Sequence, residues 1–303
     1  MDLIDKLILY DLSANCRMSY QALANRHQMS ANAVKKRVSK LEEMGVIVQY
    51  VVELTPTMID AETLLAVVST DGTQNEEEFA NQIGSNPLVF DVDPLTGAIY
   101  LVFADYTSPA EMSELGRFLR GLKGVLSVEL HTLLRSQNQR KDEFTALQLR
   151  VLAALMEDAR MPLVSIARKT GLTTRRVRRT VQELLDSNGV QFTLKWNPEA
   201  SKGIPFIVRI EFDESKTELV DCGKWLRERF PIPLWEVMMS SSEPTIFAYF
   251  VAQDQTHLEL LTREVRGGEF VKSVVTFVNK PTRVFPGPRN HRLTEMLKQM
   301  TES

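Results

Sequence analysis

The sequence predicts an α+β chain in which two three-helix units alternate with two βαββαβ units. Three features predict it: an internal repeat, the same order of helix and strand periodicities after each copy, and turn residues where the periodicities change. The length agrees, because 303 residues suit two or more domains. Apolar types make up 44% and charged types 25%, which disfavours a disordered or rod-like chain.

The repeat aligns residues 6–41 with 149–184 at a constant offset of 143. Leu9 meets Leu152, Arg17 meets Arg160, Met18 meets Met161, Ala24 meets Ala167, Val34 meets Val177, Val38 meets Val181 and Leu41 meets Leu184. After one inserted residue, Gly45-Val46 meets Gly189-Val190. The shared positions are mostly apolar or small, the types that set packing.

In the first copy, Ile4 to Ala14 has helical periodicity, Ser19 caps a short helix ending near Arg26, and Ser30 caps a third helix that runs to Met44 and stops at Gly45. With the short Gln28-Met29 turn this describes a helix-turn-helix, and Val46 to Leu54 suits a wing or a strand leading onward. The second copy repeats it with Phe144 to Met156, Leu163 to Lys169 and Thr173 to Ser187. Next, Leu64–Ser69, Val89–Val92, Ile99–Ala104 and Leu126–Leu133 read as strands around helices at Glu76–Ile83 and Pro109–Leu122. Their counterparts are strands at Phe206–Phe212, Leu234–Met239, Ile246–Val251 and Val271–Val278, with helices at Glu218–Phe230 and Thr256–Val265. This order is the ferredoxin-like, split βαβ arrangement. The expected domains are winged helix-turn-helix at 1–54 and 142–198, βαββαβ at 55–135 and 203–280, and a tail at 281–303. The polar run 136–141 reads as a linker, and Pro281, Pro286, Gly287 and Pro288 break regular structure before a short helix from Arg292 to Met300.

On the third helix of each copy, Val34, Val38 and Leu41, or Val177, Val181 and Leu184, share one face and must point to a core. The other face then carries Ser30, Asn32, Lys35, Lys36 and Ser39 in the first copy, and Thr173, Arg175, Arg178, Arg179 and Gln182 in the second. Such donors match base edges in a major groove, and the cations neutralise phosphates. Between Arg17 and Leu41 there are six basic residues and no acid; between Arg160 and Thr180 there are seven and no acid. The rest of the chain holds 23 basic against 39 acidic residues, so a net charge of −3 conceals two electropositive segments. A charged helix face is often only a solvated one. Two diverged copies that keep cations at matching positions favour double-stranded DNA as the partner.

Other chemistry finds little support. No apolar stretch approaches the ~20 residues of a membrane span, and the start lacks a signal-peptide layout, so a cytoplasmic protein is expected. Cys16 and Cys222 stand alone and read as buried thiols; His27, His131, His257 and His291 show no paired spacing. The chain has no P-loop, GxGxxG, HExxH or GxSxG motif, and neither catalysis nor a cofactor is expected. Trp196, Trp225 and Trp235 read as core or interface aromatics.

The run Ile4-Asp5-Lys6-Leu7-Ile8-Leu9, then Arg17-Met18-Ser19-Tyr20-Gln21-Ala22-Leu23-Ala24, Met29-Ser30, Val34, Arg37-Val38, Leu41-Glu42 and Gly45-Val46-Ile47 resembles the Lrp/AsnC, or feast/famine, transcription regulators. The second copy matches more loosely, with Thr180 standing where Arg37 does. The resemblance implies a winged-helix DNA-binding domain beside a βαββαβ (RAM-like) domain that senses effectors and builds oligomers. Family members typically carry one such pair and dimerise; two pairs in tandem imply a covalent pseudo-dimer presenting two recognition helices to half-sites ~34 Å apart. A sheet face or edge leaves room for a homo-oligomer. The family's small-molecule effectors, often amino acids, bind near a Thr-Gly loop followed by an aspartate. Thr96-Gly97 resembles that loop, with Tyr100 where the acid is expected; a plain hairpin turn is the alternative for Gly97. Two other functions stay open. Siroheme decarboxylases resemble Lrp/AsnC proteins and contain two domain pairs, and an architectural chromatin protein would use the arginines on phosphates alone.

Overall fold

The computed structural model describes residues 1–134, 143–197, 200 and 203–302, so the linker expected at 136–141 lies outside the described residues. The first half runs α1 (Leu3–Ala14), α2 (Tyr20–Arg26), α3 (Ala31–Glu43), β1 (Ile47–Leu54), a 3-10 turn (Pro56–Ile59), β2 (Glu62–Thr70), α4 (Glu76–Gly84), β3 (Val89–Leu95), β4 (Ile99–Tyr106), α5 (Pro109–Gly121) and β5 (Val125–Thr132). The second runs α6 (Ala146–Leu155), α7 (Leu163–Thr170), α8 (Thr174–Asp186), β6 (Val190–Trp196), β7 (Ile204–Phe212), α9 (Leu219–Arg229), β8 (Leu234–Met239), β9 (Thr245–Ala252), α10 (Gln255–Arg266) and β10 (Val271–Val278). β11 (Arg283–Val284) and α11 (Pro288–Glu302) complete the chain. Among the described residues no helix is long and apolar enough to cross a membrane.

The elements sort into two compact units, one from residues 1–60, 143–197 and 289–302, the other from 61–134 and 203–288. The first holds both three-helix segments. Ser19, Ser30 and Thr173 accept the N–H groups of Ala22, Ala33 and Arg176, filling the cap roles their side chains suit. Gly45 takes a left-handed φ of 74°, the conformation that ends α3. The copies are joined by the two-stranded antiparallel pair β1–β6, in register through Val51↔Thr193. The strand at 47–54 is therefore half of a sheet shared by the two copies. Leu293 of α11 is buried in the cluster that includes Leu152, Leu155 and Ile166, with Met296 and Leu297 packed on it. That helix starts at Pro288, earlier than the expected Arg292, because proline at the first helical position sacrifices no intrahelical hydrogen bond.

The second unit holds both βαββαβ segments. Their sheets have the orders β11-β3-β4-β2-β5 and β10-β7-β9-β8, each with the ferredoxin-like arrangement of its four long strands. Leu64, Ala66 and Val68 of β2 face the core shared with α4 and α5, whereas Leu65 and Val67 face a second core with Ile207 and Phe247 of the other sheet. Strand alternation thus buries both faces. The sheets are stitched at two corners by the bridges Leu95↔Asn279 and Leu133↔Ser240. Each is flanked by matching bonds: Thr96 N–H to Val278 O (2.9 Å) and Lys280 N–H to Pro94 O (2.9 Å) at one, Ser241 N–H to Thr132 O (2.8 Å) and Leu134 N–H to Met239 O (2.7 Å) at the other. This correspondence is an internal two-fold. It relates His131 to Phe277 and Arg209 to Val67, so one side of the inter-sheet core is polar and the other apolar.

Candidate nucleic-acid interface

On α3 the buried side chains are Val34, Val38 and Leu41, and on α8 they are Val177, Thr180, Val181 and Leu184. Burying an apolar side chain of this size is worth ~1.5–3 kcal/mol, which fixes each helix rotationally and leaves no freedom over which residues face outward. Asn32, Lys35 and Lys36 are exposed and Ser39 is half-buried; Arg175, Arg178, Arg179 and Gln182 are exposed. Ser30 and Thr173 sit at the helix starts with their hydroxyl oxygens committed to capping. Neither first turn contains an acid, so the positive ends of both helix dipoles add to the side-chain cations.

Geometry separates the cations. The Arg179 Nε–H donates to Glu183 Oε1 at 2.8 Å and the Gln182 amide to Asp186 Oδ1 at 2.8 Å, both one turn away on the same helix. Among the described residues, Lys35, Lys36, Lys40, Arg175, Arg176 and Arg178 make no ion pair. Arg176 and Lys40 are exposed residues that the sequence reading of the contact face omitted, although both belong to its basic segments. The adjoining pair Arg175-Arg176 was the available signal.

Three arginines of the basic segments are placed otherwise than charge counting suggests. Arg37 bonds Asp2 and Asp5 at 2.7 Å each, tying α3 to the start of α1. Arg17 donates to Ala159 O (2.6 Å) and Met161 O (3.1 Å) of the other copy, and Arg160 to Met18 O and the Tyr50 hydroxyl (3.4 Å each). Arg160 also stacks over the rings of Tyr20 at 4.6 Å and Tyr50 at 5.2 Å. These two cations serve the joint between copies, so the positive charge of the basic segments is divided between that joint and the outward helix faces. Burial lowers the Arg17 pKa but leaves it cationic, since a guanidinium is not deprotonated in proteins. Burial pushes the neighbouring Cys16 thiol up to about 12, so it is an inert, uncharged packing group.

Thr96 and Gly97 form the β3–β4 turn, with Gly97 at φ 78°. The Thr96 hydroxyl accepts the Val278 N–H at 3.0 Å. Tyr100 is buried with its ring 5.0 Å from that of Phe79. Among the described residues no group of three or more His, Cys, Asp or Glu side chains could hold a metal.

Comparison with known proteins agrees with this geometry. A winged helix-turn-helix DNA-binding family model matches residues 1–48, and the AsnC-type helix-turn-helix domain matches residues 145–185. An uncharacterized HTH-type transcriptional regulator of Pyrococcus horikoshii is 31% identical over 127 residues, which cover 41% of this chain and 80% of the relative. The chain belongs to the Lrp/AsnC family. It is a DNA-binding transcription regulator of the Lrp/AsnC type. A second such regulator, from Pyrococcus furiosus, is 26% identical over 136 residues, 44% of this chain and 91% of that one. Both relatives of this Lrp/AsnC protein match less than half of it, as a duplicated chain requires. The siroheme decarboxylase NirDL shares the fold over 100% of both chains, with a TM-score of 0.60 at 12% identity.

Proposed function

We propose that this Lrp/AsnC protein works as a covalent pseudo-dimer that reads a bipartite, sequence-specific DNA site, α3 on one half and α8 on the other. One observation carries the reading: both helices present outward, acid-free first turns with unpaired cations, on two copies locked together by β1–β6. Ser30, Asn32, Lys35, Lys36 and Ser39 serve one half-site, and Thr173, Arg175, Arg178, Arg179 and Gln182 the other. Because α3 offers lysines and an asparagine where α8 offers arginines, the two half-sites differ in sequence. Affinity selection with the full chain from a randomised duplex library tests this. Two dissimilar, phased half-sites are expected, whereas enrichment of no sequence would leave the architectural reading in its place.

Effector control belongs to the same proposal and is assigned to the βαββαβ unit. At Thr96-Gly97 a ligand can approach the exposed glycine backbone, but it must compete with Val278 for the Thr96 hydroxyl. Assembly into a homo-oligomer and a cytoplasmic location complete the proposal.

A second reading, tetrapyrrole decarboxylation, is favoured by the full-length likeness to NirDL. Adding siroheme to the purified chain separates the two. An unchanged Soret spectrum is expected, and a saturable shift followed by loss of carboxylates would establish the enzyme.

A further inference from the structure

The α1–α2 turn of the first copy and the α6–α7 turn of the second clasp each other within the first unit. In each, the side chain of Asn15 or Asp158 accepts the N–H two residues on, at 2.9 and 2.8 Å, shaping the turn. The residue between then donates its N–H to the opposite wing: Cys16 to Phe192 O at 2.8 Å, Ala159 to Tyr50 O at 3.1 Å. Arg17 and Arg160 complete the exchange by reaching to carbonyl oxygens of the other copy's turn. The offset of 143 relates the two turns and the bonds Arg17–Met161 O and Arg160–Met18 O, whereas the wing acceptors Tyr50 and Phe192 lie 142 residues apart. A forked guanidinium suits this task because its donors lie in one rigid plane.

We propose that Arg17 and Arg160 are positioning residues that fix the separation and phase of α3 and α8, and thereby the half-site spacing this protein accepts. This rests on the two-half-site reading above. Adding one base pair between half-sites moves them apart by ~3.4 Å and rotates them by ~34°, so a stiff joint discriminates spacings that a loose one tolerates. The β1–β6 pair is only two strands wide, and a two-stranded ribbon twists readily. The arginine clasp braces it at a second place, where each helix-turn-helix begins.

The test uses duplexes selected by the wild-type chain, with the spacer changed in single base-pair steps, and the variants Arg17→Lys, Arg160→Lys and the double variant. Lysine keeps the charge that attracts DNA but lacks the fork with which Arg17 spans two carbonyls and Arg160 spans a carbonyl and the Tyr50 hydroxyl. Circular dichroism and melting curves identify which variants are folded, and a single half-site duplex provides a second affinity. For the wild type, affinity peaks sharply at one spacing. In a folded variant the ratio of affinity at the optimum to affinity two base pairs away falls about tenfold, with single half-site affinity unchanged. A phosphate-contact role would instead lower all affinities together and leave the ratio intact. A sharp wild-type profile that persists in a folded variant overturns this proposal alone. A flat wild-type profile removes the two-half-site reading and this proposal with it. If neither lysine variant folds, Tyr50→Phe, which removes the hydroxyl that Arg160 bonds, must broaden the profile, and an unchanged profile there overturns the proposal.

Discussion

Gln28 and Gly171 occupy the same left-handed backbone position, φ 55° and 66°, at the turn that precedes each recognition helix. The fold needs this conformation at both places, but only the second copy supplies the residue that adopts it without cost. An L side chain in the left-handed region costs roughly 1–2 kcal/mol, partly offset by the freedom glycine loses on folding. Gln28→Gly is therefore expected to stabilise the first copy by up to about 1 kcal/mol, and Gly171→Ala to destabilise the second by about 1 kcal/mol. A β-carbon at Gly171 would meet nothing closer than Arg150 Nη2 at 3.4 Å, so the expected loss is conformational. Denaturant midpoints of the two variants check both signs.

His131 lies fully buried between the sheets. Its Nδ1 is 3.3 Å from the Ser240 hydroxyl and its Nε2 is 3.7 Å from Glu129, beyond hydrogen-bond reach. Arg209 holds that same Glu129 at 2.7 Å and lies near Glu211 at 3.7 Å. Burial, with Glu243 opposing it, Arg209 reinforcing it and Glu129 opposing it, holds the imidazole below its ordinary value of 6.5. The unfolded chain then takes up its proton first as pH falls, so stability is lost as pH drops below about 6.5. His131→Phe, which copies the two-fold mate Phe277, removes that proton uptake. Melting temperatures from pH 8 to 5 should fall less steeply in the variant; identical slopes would show that His131 does not contribute.

The ion-pair geometry predicts a ranking within α8. Arg179 is shared with Glu183, whereas Arg175 and Arg178 are free to meet phosphate or base. Charge reversal at Arg178 should weaken DNA binding about tenfold or more, and reversal at Arg179 should weaken it less. Exposed one-turn pairs are worth only ~0.3–0.5 kcal/mol, so the fold survives either change. Equal losses in titrations of both variants would reject the ranking.

Periodicity and cap chemistry are local, and they were legible. β8 and β10 begin and end at the residues their apolar patterns indicate, and both recognition helices start at their hydroxyl caps. Partners far apart in sequence were not. Arg17 and Arg160 looked like contributors to a DNA face because their carbonyl acceptors lie 142 to 144 residues away. The β1–β6 register is equally invisible, since either strand alone reads as a wing. β11 was missed because two residues carry no period, and the prolines around them obscure the single stretch that pairs with β3.

Bipartite binding requires that α3 and α8 both meet DNA through their unpaired cations. The salt dependence of binding, compared between wild type and the Lys36→Glu/Arg178→Glu variant on one selected duplex, tests this most directly. Each neutralised phosphate contributes ~0.9 to the slope of log affinity against log salt, so the variant should lose about two units of slope along with affinity. A folded variant that keeps the wild-type slope and affinity would contradict it.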